Sequence, residues 1–185
     1  NKYFLIIENI KDIDLKNIKI RNKFYIIYRY KNKINQFAEL MKFRQTCKSK
    51  AVKFYVANNI KLALTLHSDG IYLSSFNKNL KVLKLKKKNF EIIGSAHNFK
   101  EITVKLMQGC SSILLSKLFV VDYDKNSNHL GVVKFNNFSK FSKKIIPLGG
   151  IKENNLTNLK NISCEGFALL SEVKKKPAKI FNRLF

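Results

Sequence analysis

Eight short apolar runs recur along this chain, and few architectures can bury that many. They fall at residues 3–7, 24–30, 51–56, 70–73, 91–94, 112–115, 145–148 and 166–169. Most are nearly continuous in apolar residues rather than alternating, as parallel strands covered on both faces require. Helically spaced apolar stripes lie between several of them. Ile34, Phe37, Leu40, Met41 and Phe43 form one, and Ile60, Leu62, Ala63 and Leu66 form another. Ile102, Val104, Leu106 and Met107 form a third that Gly109 can stop, and Val173, Ile180 and Leu184 fit a closing helix. This alternation predicts an α/β fold, a compact eight-stranded parallel β/α (TIM) barrel. An open doubly wound sheet would satisfy it too. At 185 residues the chain is shorter than the ~250 typical of such barrels. Some helices must therefore be short or degenerate, with 8–22 weakly patterned and 77–89 rich in lysine. With no internal repeat and no linker, residues 1–185 read as one domain.

No apolar run approaches the ~20 residues of a membrane helix, so a cytoplasmic protein without a membrane partner is expected. The formal net charge of +24 admits three explanations: a nucleic-acid or anionic-surface partner, anionic small substrates, or coding bias toward lysine. The lysines are scattered, and the aromatics sit inside apolar runs rather than among basic clusters, which disfavours nucleic acid. Cys47, Cys110 and Cys164 have no zinc spacing and read as free thiols.

Barrel enzymes carry their chemistry at the C-terminal ends of the strands. That rule selects Arg29 and Lys31 after the second run, and Asn58 and Asn59 after the third. It selects Ser74, Ser75 and Asn77 after the fourth, Ser95 and His97 after the fifth, and Ser116 and Lys117 after the sixth. A loop with Asp122, Asp124, Lys125 and His129 follows. Gly149, Gly150 and Ser171 stand at the last two ends. Glycines without a Cβ let an oxyanion approach the main chain, and a phosphate site after strands seven and eight recurs in barrels. The set is cationic and rich in amide and hydroxyl donors, and it lacks a clear acid–base pair. It suits phosphate binding.

Four blocks, in order, resemble the thiamine phosphate synthase/TenI family over nearly the whole chain. Leu62-Ala63-Leu64 with Ser68-Asp69-Gly70-Ile71-Tyr72-Leu73 is similar to the family's L-A-L…A-D-G-V-H-L. Ile93-Gly94-Ser95-Ala96-His97 is similar to I-G-x-S-x-H. Pro147-Leu148-Gly149-Gly150-Ile151, with Asn155, is similar to I-G-G-I-x-x-x-N, and the run from Gly166 to Ser171 to G-V-A-V-V-S. The resemblance implies a transferase joining a pyrimidine pyrophosphate to a thiazole phosphate with release of pyrophosphate, assisted by Mg²⁺. It implies that Arg29, Lys31 and Ser95 bind the pyrophosphate, that Lys125, within one position of the family's loop lysine, is a further catalytic residue, and that Gly149, Gly150 and Ser171 hold the thiazole phosphate. The chain also departs from the pattern. The Gln of the family's Q-x-R-x-K is Ile27, and the two metal-ligand aspartates are Asn58 and Asn77. The histidine of the TenI-type tautomerases is Lys117. A thiazole-phosphate isomerising enzyme, or a phosphate-ligand binding protein of the same family, is therefore the alternative. A basic nucleic-acid-binding protein comes third, and homo-oligomerisation stays open.

Overall fold

All eight apolar runs are strands: β1 (Lys2–Ile7), β2 (Phe24–Tyr28), β3 (Lys53–Ala57), β4 (Gly70–Leu73), β5 (Glu91–Ala96), β6 (Ser112–Ser116), β7 (Ile145–Leu148) and β8 (Gly166–Leu169). The computed structural model describes residues 1–30, 37–86, 90–124, 126 and 128–175. Every neighbouring pair is parallel, and β8 returns to β1 with Lys2 opposite Gly166 and Leu5 opposite Leu169. That closure makes the sheet a barrel and excludes the open doubly wound sheet.

Alternation along each strand sorts the side chains into two cores. Phe4, Ile6, Tyr25, Ile27, Tyr55, Tyr72, Ile93, Leu114 and Ile146 point inward and fill the barrel. Leu5, Ile7, Phe24, Ile26, Phe54, Val56, Ile71, Ile113 and Phe167 point outward beneath the surrounding helices. At the N-terminal end the Tyr55 hydroxyl donates to Glu91 Oε2 at 2.5 Å. Glu91 is also held by Lys53 at 2.9 Å and by the Ser111 hydroxyl at 3.1 Å. This polar plug closes the end of the barrel opposite the C-terminal strand ends.

The helices are α1 (Phe37–Ser49), α2 (Ile60–Thr65), α3 (Leu83–Lys86), α4 (Phe99–Met107), α5 (Gly131–Ser139) and α6 (Ser171–Lys174). Two connections economise on length. Between β1 and β2 stand only two 3-10 turns, Ile10–Asp12 and Leu15–Asn17, and Glu153–Asn161 between β7 and β8 is also 3-10. The reason is local: the side chains of Asn9 and Asp14 accept from the N–H groups two residues on, favouring turns over longer helix. Of the closing stripe, Val173 belongs to α6, while Ile180 and Leu184 lie outside the described residues. Cys47 and Cys110 are buried, and burial pushes the Cys47 thiol up to about 12, consistent with an inert packing role. Among the described residues no helix is long and apolar enough to cross a membrane.

Candidate active site

A cavity of about 730 Å³ opens at the C-terminal ends of the strands. Arg29 stands one residue past β2, Asn58 one past β3, Ser95 inside β5, Gly149 and Gly150 after β7, and Ser171 at the first position of α6. All six line this cavity. Ser95 was expected beyond its strand. β5 instead runs on to Ala96, because the small Gly94-Ser95-Ala96 end packs tightly against β6. Asn77 does not line the cavity, but its amide donates to Asn58 Oδ1 at 3.1 Å. Lys31 and Lys125 lie outside the described residues. Asn59 serves structure: its Oδ1 caps α2 through Leu62 N–H, and its amide donates to the Tyr30 hydroxyl.

The β7 end is a rigid main-chain turn. Gly149 and Gly150 have φ of +94° and +69°, a region that L side chains adopt only at a cost. Asn155 binds both limbs of the turn, donating to the Gly150 carbonyl and accepting from Lys152 N–H, each at 2.8 Å. The glycines also do something that spacing did not reveal. A Cβ on Gly150 would stand 2.5 Å from the Phe119 and Val120 carbonyl oxygens. The bare residue therefore admits the β6–α5 loop backbone as well as any ligand.

Across the cavity, Tyr72 is buried beside Ser95. Burial raises the phenol's pKa, with Ser95 and the nearby Arg29 charge opposing, so Tyr72 stays protonated as a donor. Arg29 Nη2 lies 3.4 Å from Glu8 Oε1, and Lys174 pairs with the other oxygen of Glu8. His97 lines the rim and is held by Glu101 at 3.0 Å. Tyr72, Glu8, Lys152, Lys174 and Glu172 all line the cavity, and none was singled out from sequence. The strand-end rule alone would have found Glu8, the first residue after β1.

Residues 6–173 match the family model described as thiamine monophosphate synthase. This chain belongs to that family. Among its relatives is the thiamine-phosphate synthase of Prochlorococcus marinus (strain AS9601), 30% identical over 172 residues, covering 91% of this chain and 48% of the relative. The thiamine-phosphate synthase of Persephonella marina is 25% identical, covering 81% of this chain and 74% of the relative. The chain thus spans about half the length of the first curated relatives it matches. Thiamine phosphate pyrophosphorylase from Pyrococcus furiosus superposes with a TM-score of 0.79 at 18% identity, over 99% of this chain and 94% of that one. At that identity the likeness speaks for the fold.

Membership in the thiamine monophosphate synthase family sharpens the question of Mg²⁺, whose ligands the resemblance places at Asn58 and Asn77. Both amide oxygens are engaged within the protein. Asn58 Oδ1 accepts from Ser74 N–H at 3.0 Å and from Asn77, and Asn77 Oδ1 accepts from Asn79 N–H at 3.0 Å. Beneath them the fully buried Lys105 ammonium donates to the carbonyls of Ser74 (2.8 Å) and Asn77 (2.6 Å) and to Gln108 Oε1 (3.0 Å). Neutral, self-satisfied amides above a buried cation do not suit Mg²⁺, which favours carboxylate and phosphate oxygens. Nor, among the described residues, is any group of three or more His, Cys, Asp or Glu placed to hold a metal.

Lys105 instead fixes the β4 rim. Gly94 makes the room, since a Cβ there would come within 2.7 Å of the lysine stem. Lys105→Met keeps the stem and removes three charge-assisted bonds, leaving buried acceptors short of donors. The expected destabilisation is about 2 kcal/mol, the lost bonds being partly offset by the relieved desolvation of the ammonium. Urea unfolding measures it. A midpoint equal to that of the unsubstituted chain would show that the ammonium does not hold the rim.

Proposed function

We propose that this chain joins hydroxymethylpyrimidine pyrophosphate to thiazole phosphate, giving thiamine phosphate and pyrophosphate. One observation carries the reading: Arg29, Asn58, Ser95, Gly149, Gly150 and Ser171, delivered by five different strand ends, line a single cavity. The thiazole phosphate belongs at Gly149, Gly150 and Ser171, where main-chain N–H groups and a hydroxyl can meet its oxygens. The pyrophosphate belongs on the opposite side at Arg29 and Ser95. In the reaction the pyrimidine methylene C–O bond breaks and its electron pair leaves on pyrophosphate. The thiazole nitrogen lone pair then forms the new C–N bond. No proton must be moved, which agrees with a site rich in donors and cations. Arg29 stabilises the charge growing on the leaving group, an effect present mainly in the transition state. The Tyr72–Ser95 pair supplies neutral donors on the same side.

The test is incubation of the purified protein with both substrates, with and without Mg²⁺, followed by quantification of thiamine phosphate and pyrophosphate. Equal amounts of the two products are expected. Arg29→Met should lower kcat/KM by about 100-fold, the scale for removing one such electrostatic donor. Absence of thiamine phosphate under both conditions, with the substrates intact, overturns the proposal.

The Asn58–Asn77 amide pair favours a second reading, a barrel that binds thiazole phosphate without transferring to it. Calorimetry separates the two. The second reading requires binding of thiazole phosphate and little heat from the pyrimidine pyrophosphate, whereas the transferase requires both.

A further inference from the structure

The cations of this cavity are matched by acids. Arg29 and Lys174 share Glu8 and Lys152 pairs with Asp122, while Lys117, outside the lining, pairs with Asp124 at 2.6 Å. The chain has 36 Lys and Arg against 12 Asp and Glu. Glu8, Asp122 and Glu172, three of those twelve, line the cavity, and Asp124 is two residues beyond Asp122. In so basic a chain, composition alone does not gather scarce carboxylates there.

Lys152 is the most informative of these cations. It follows Gly150 by two residues, is clamped by Asn155 through its own N–H, and lines the cavity beside Gly149, Gly150 and Ser171. The Lys152 side chain is 30% exposed and that of Asp122 59%. The pair is therefore reachable by solvent and by a solute. Asp122 also belongs to the loop whose Phe119 and Val120 carbonyls lie against Gly150. An ion pair joins that loop to the β7 end, from Asp122 to Lys152, and a second, Asp124 to Lys117, lies within the loop itself.

We propose that Lys152 is a side-chain ligand for the phosphate of the substrate seated at Gly149, Gly150 and Ser171, and that Asp122 occupies it until that phosphate arrives. This rests on the phosphate position in the function proposed above. A phosphate monoester carries about −1.5 to −2 charge near neutral pH and three acceptor oxygens. Held by the turn, it outcompetes a single partly solvated carboxylate for the ammonium. Asp122 is displaced, and the loop loses its ion pair to Lys152. Asp122 thus sets the affinity: it lowers binding of any anion too weakly charged to replace it.

The experiment uses inorganic phosphate as the probe, with dissociation constants from ³¹P titration of the full chain at about 0.15 M salt to screen the scattered surface lysines. Asp122→Asn should tighten binding about fivefold, and Lys152→Met should weaken it about tenfold, the scale for one charge-assisted bond. In the Lys152→Met background, Asp122→Asn should change nothing, and Lys152→Arg should restore most of the affinity. The exposed Lys134→Met on α5 serves as the surface control and should be silent. The proposal is overturned if the unsubstituted chain binds no phosphate, if Lys152→Met binds it as tightly, or if the two substitutions act additively. Thiamine phosphate formation with a silent Lys152→Met leaves the function standing and removes this inference. The expected phosphate pattern without product does the reverse.

Discussion

Gly166→Ala is expected to destabilise this barrel by more than about 4 kcal/mol, a size reserved for specific structural failures. A Cβ at Gly166 would stand 1.9 Å from the Lys2 carbonyl oxygen and 2.7 Å from the Lys2 N and C atoms. All three are backbone atoms, so no rotamer change relieves the overlap and the two strands must part. The seam is poorly placed to absorb this. β8 meets β7 through one registered pair, Leu148 with Ala168, but meets β1 through four, from Lys2–Gly166 to Leu5–Leu169. Pushing β1 away removes most of what holds β8 and reopens the sheet. Gly70 repeats the device where β4 meets β5, with a Cβ position 2.1 Å from the Glu91 carbonyl oxygen. Gly131 is the control: its φ is +68°, but nothing lies within 4 Å of its Cβ position. Gly131→Ala should therefore cost only the left-handed penalty, about 1 kcal/mol. For a chain this long, heat melts should show Gly166→Ala lowered by more than about 10 °C and Gly131→Ala by about 3 °C. A drop under about 4 °C for Gly166→Ala would show that the seam yields.

The same physics explains what could be read from sequence. β4, β7 and β8 keep the limits that their apolar runs suggest, and for β4 and β7 turn-forming or polar residues bound the run on both sides. Strand ends made of small residues were misplaced, as at Ser95, since neither pattern nor propensity marks where Gly-Ser-Ala stops pairing. Lys105 was unreadable as a buried charge. It falls among the apolar residues of α4, but lysine is so abundant that one more attracts no attention. Its burial depends on Gly94, on a strand eleven residues away, and on carbonyls from the β4 rim. The roles of Glu8 and Lys152, as distinct from their positions, are hidden in another way. Their meaning lies in a partner brought by the barrel from a different strand end, Arg29 and Lys174 for the first and Asp122 for the second. Residue type says that a charge exists, and only topology says what it faces.

Gly150→Ala should damage binding more than stability, and that separation tests why the glycine is there. Its φ of +69° costs an alanine about 1 kcal/mol. The added Cβ would also sit 2.5 Å from Phe119 C and O and from Val120 O, so the β6–α5 loop must retreat. That contact is with a loop rather than a paired strand: Phe119 N–H donates to the Gly149 carbonyl at 3.0 Å and Leu118 N–H to the Leu148 carbonyl at 2.8 Å, and Asp122 adds an ion pair to Lys152. The stability loss should therefore stay near 3 kcal/mol, below that of Gly166→Ala. Binding should suffer twice, because the methyl shifts the turn that presents the N–H groups and pushes Asp122 and Tyr123 from the cavity wall. Affinity for thiazole phosphate, measured by calorimetry on the folded variant, should fall at least about 30-fold, some 2 kcal/mol. Affinity for the unphosphorylated thiazole alcohol should fall much less. An equal loss for both would mean that the glycine serves the shape of the cavity and not the phosphate.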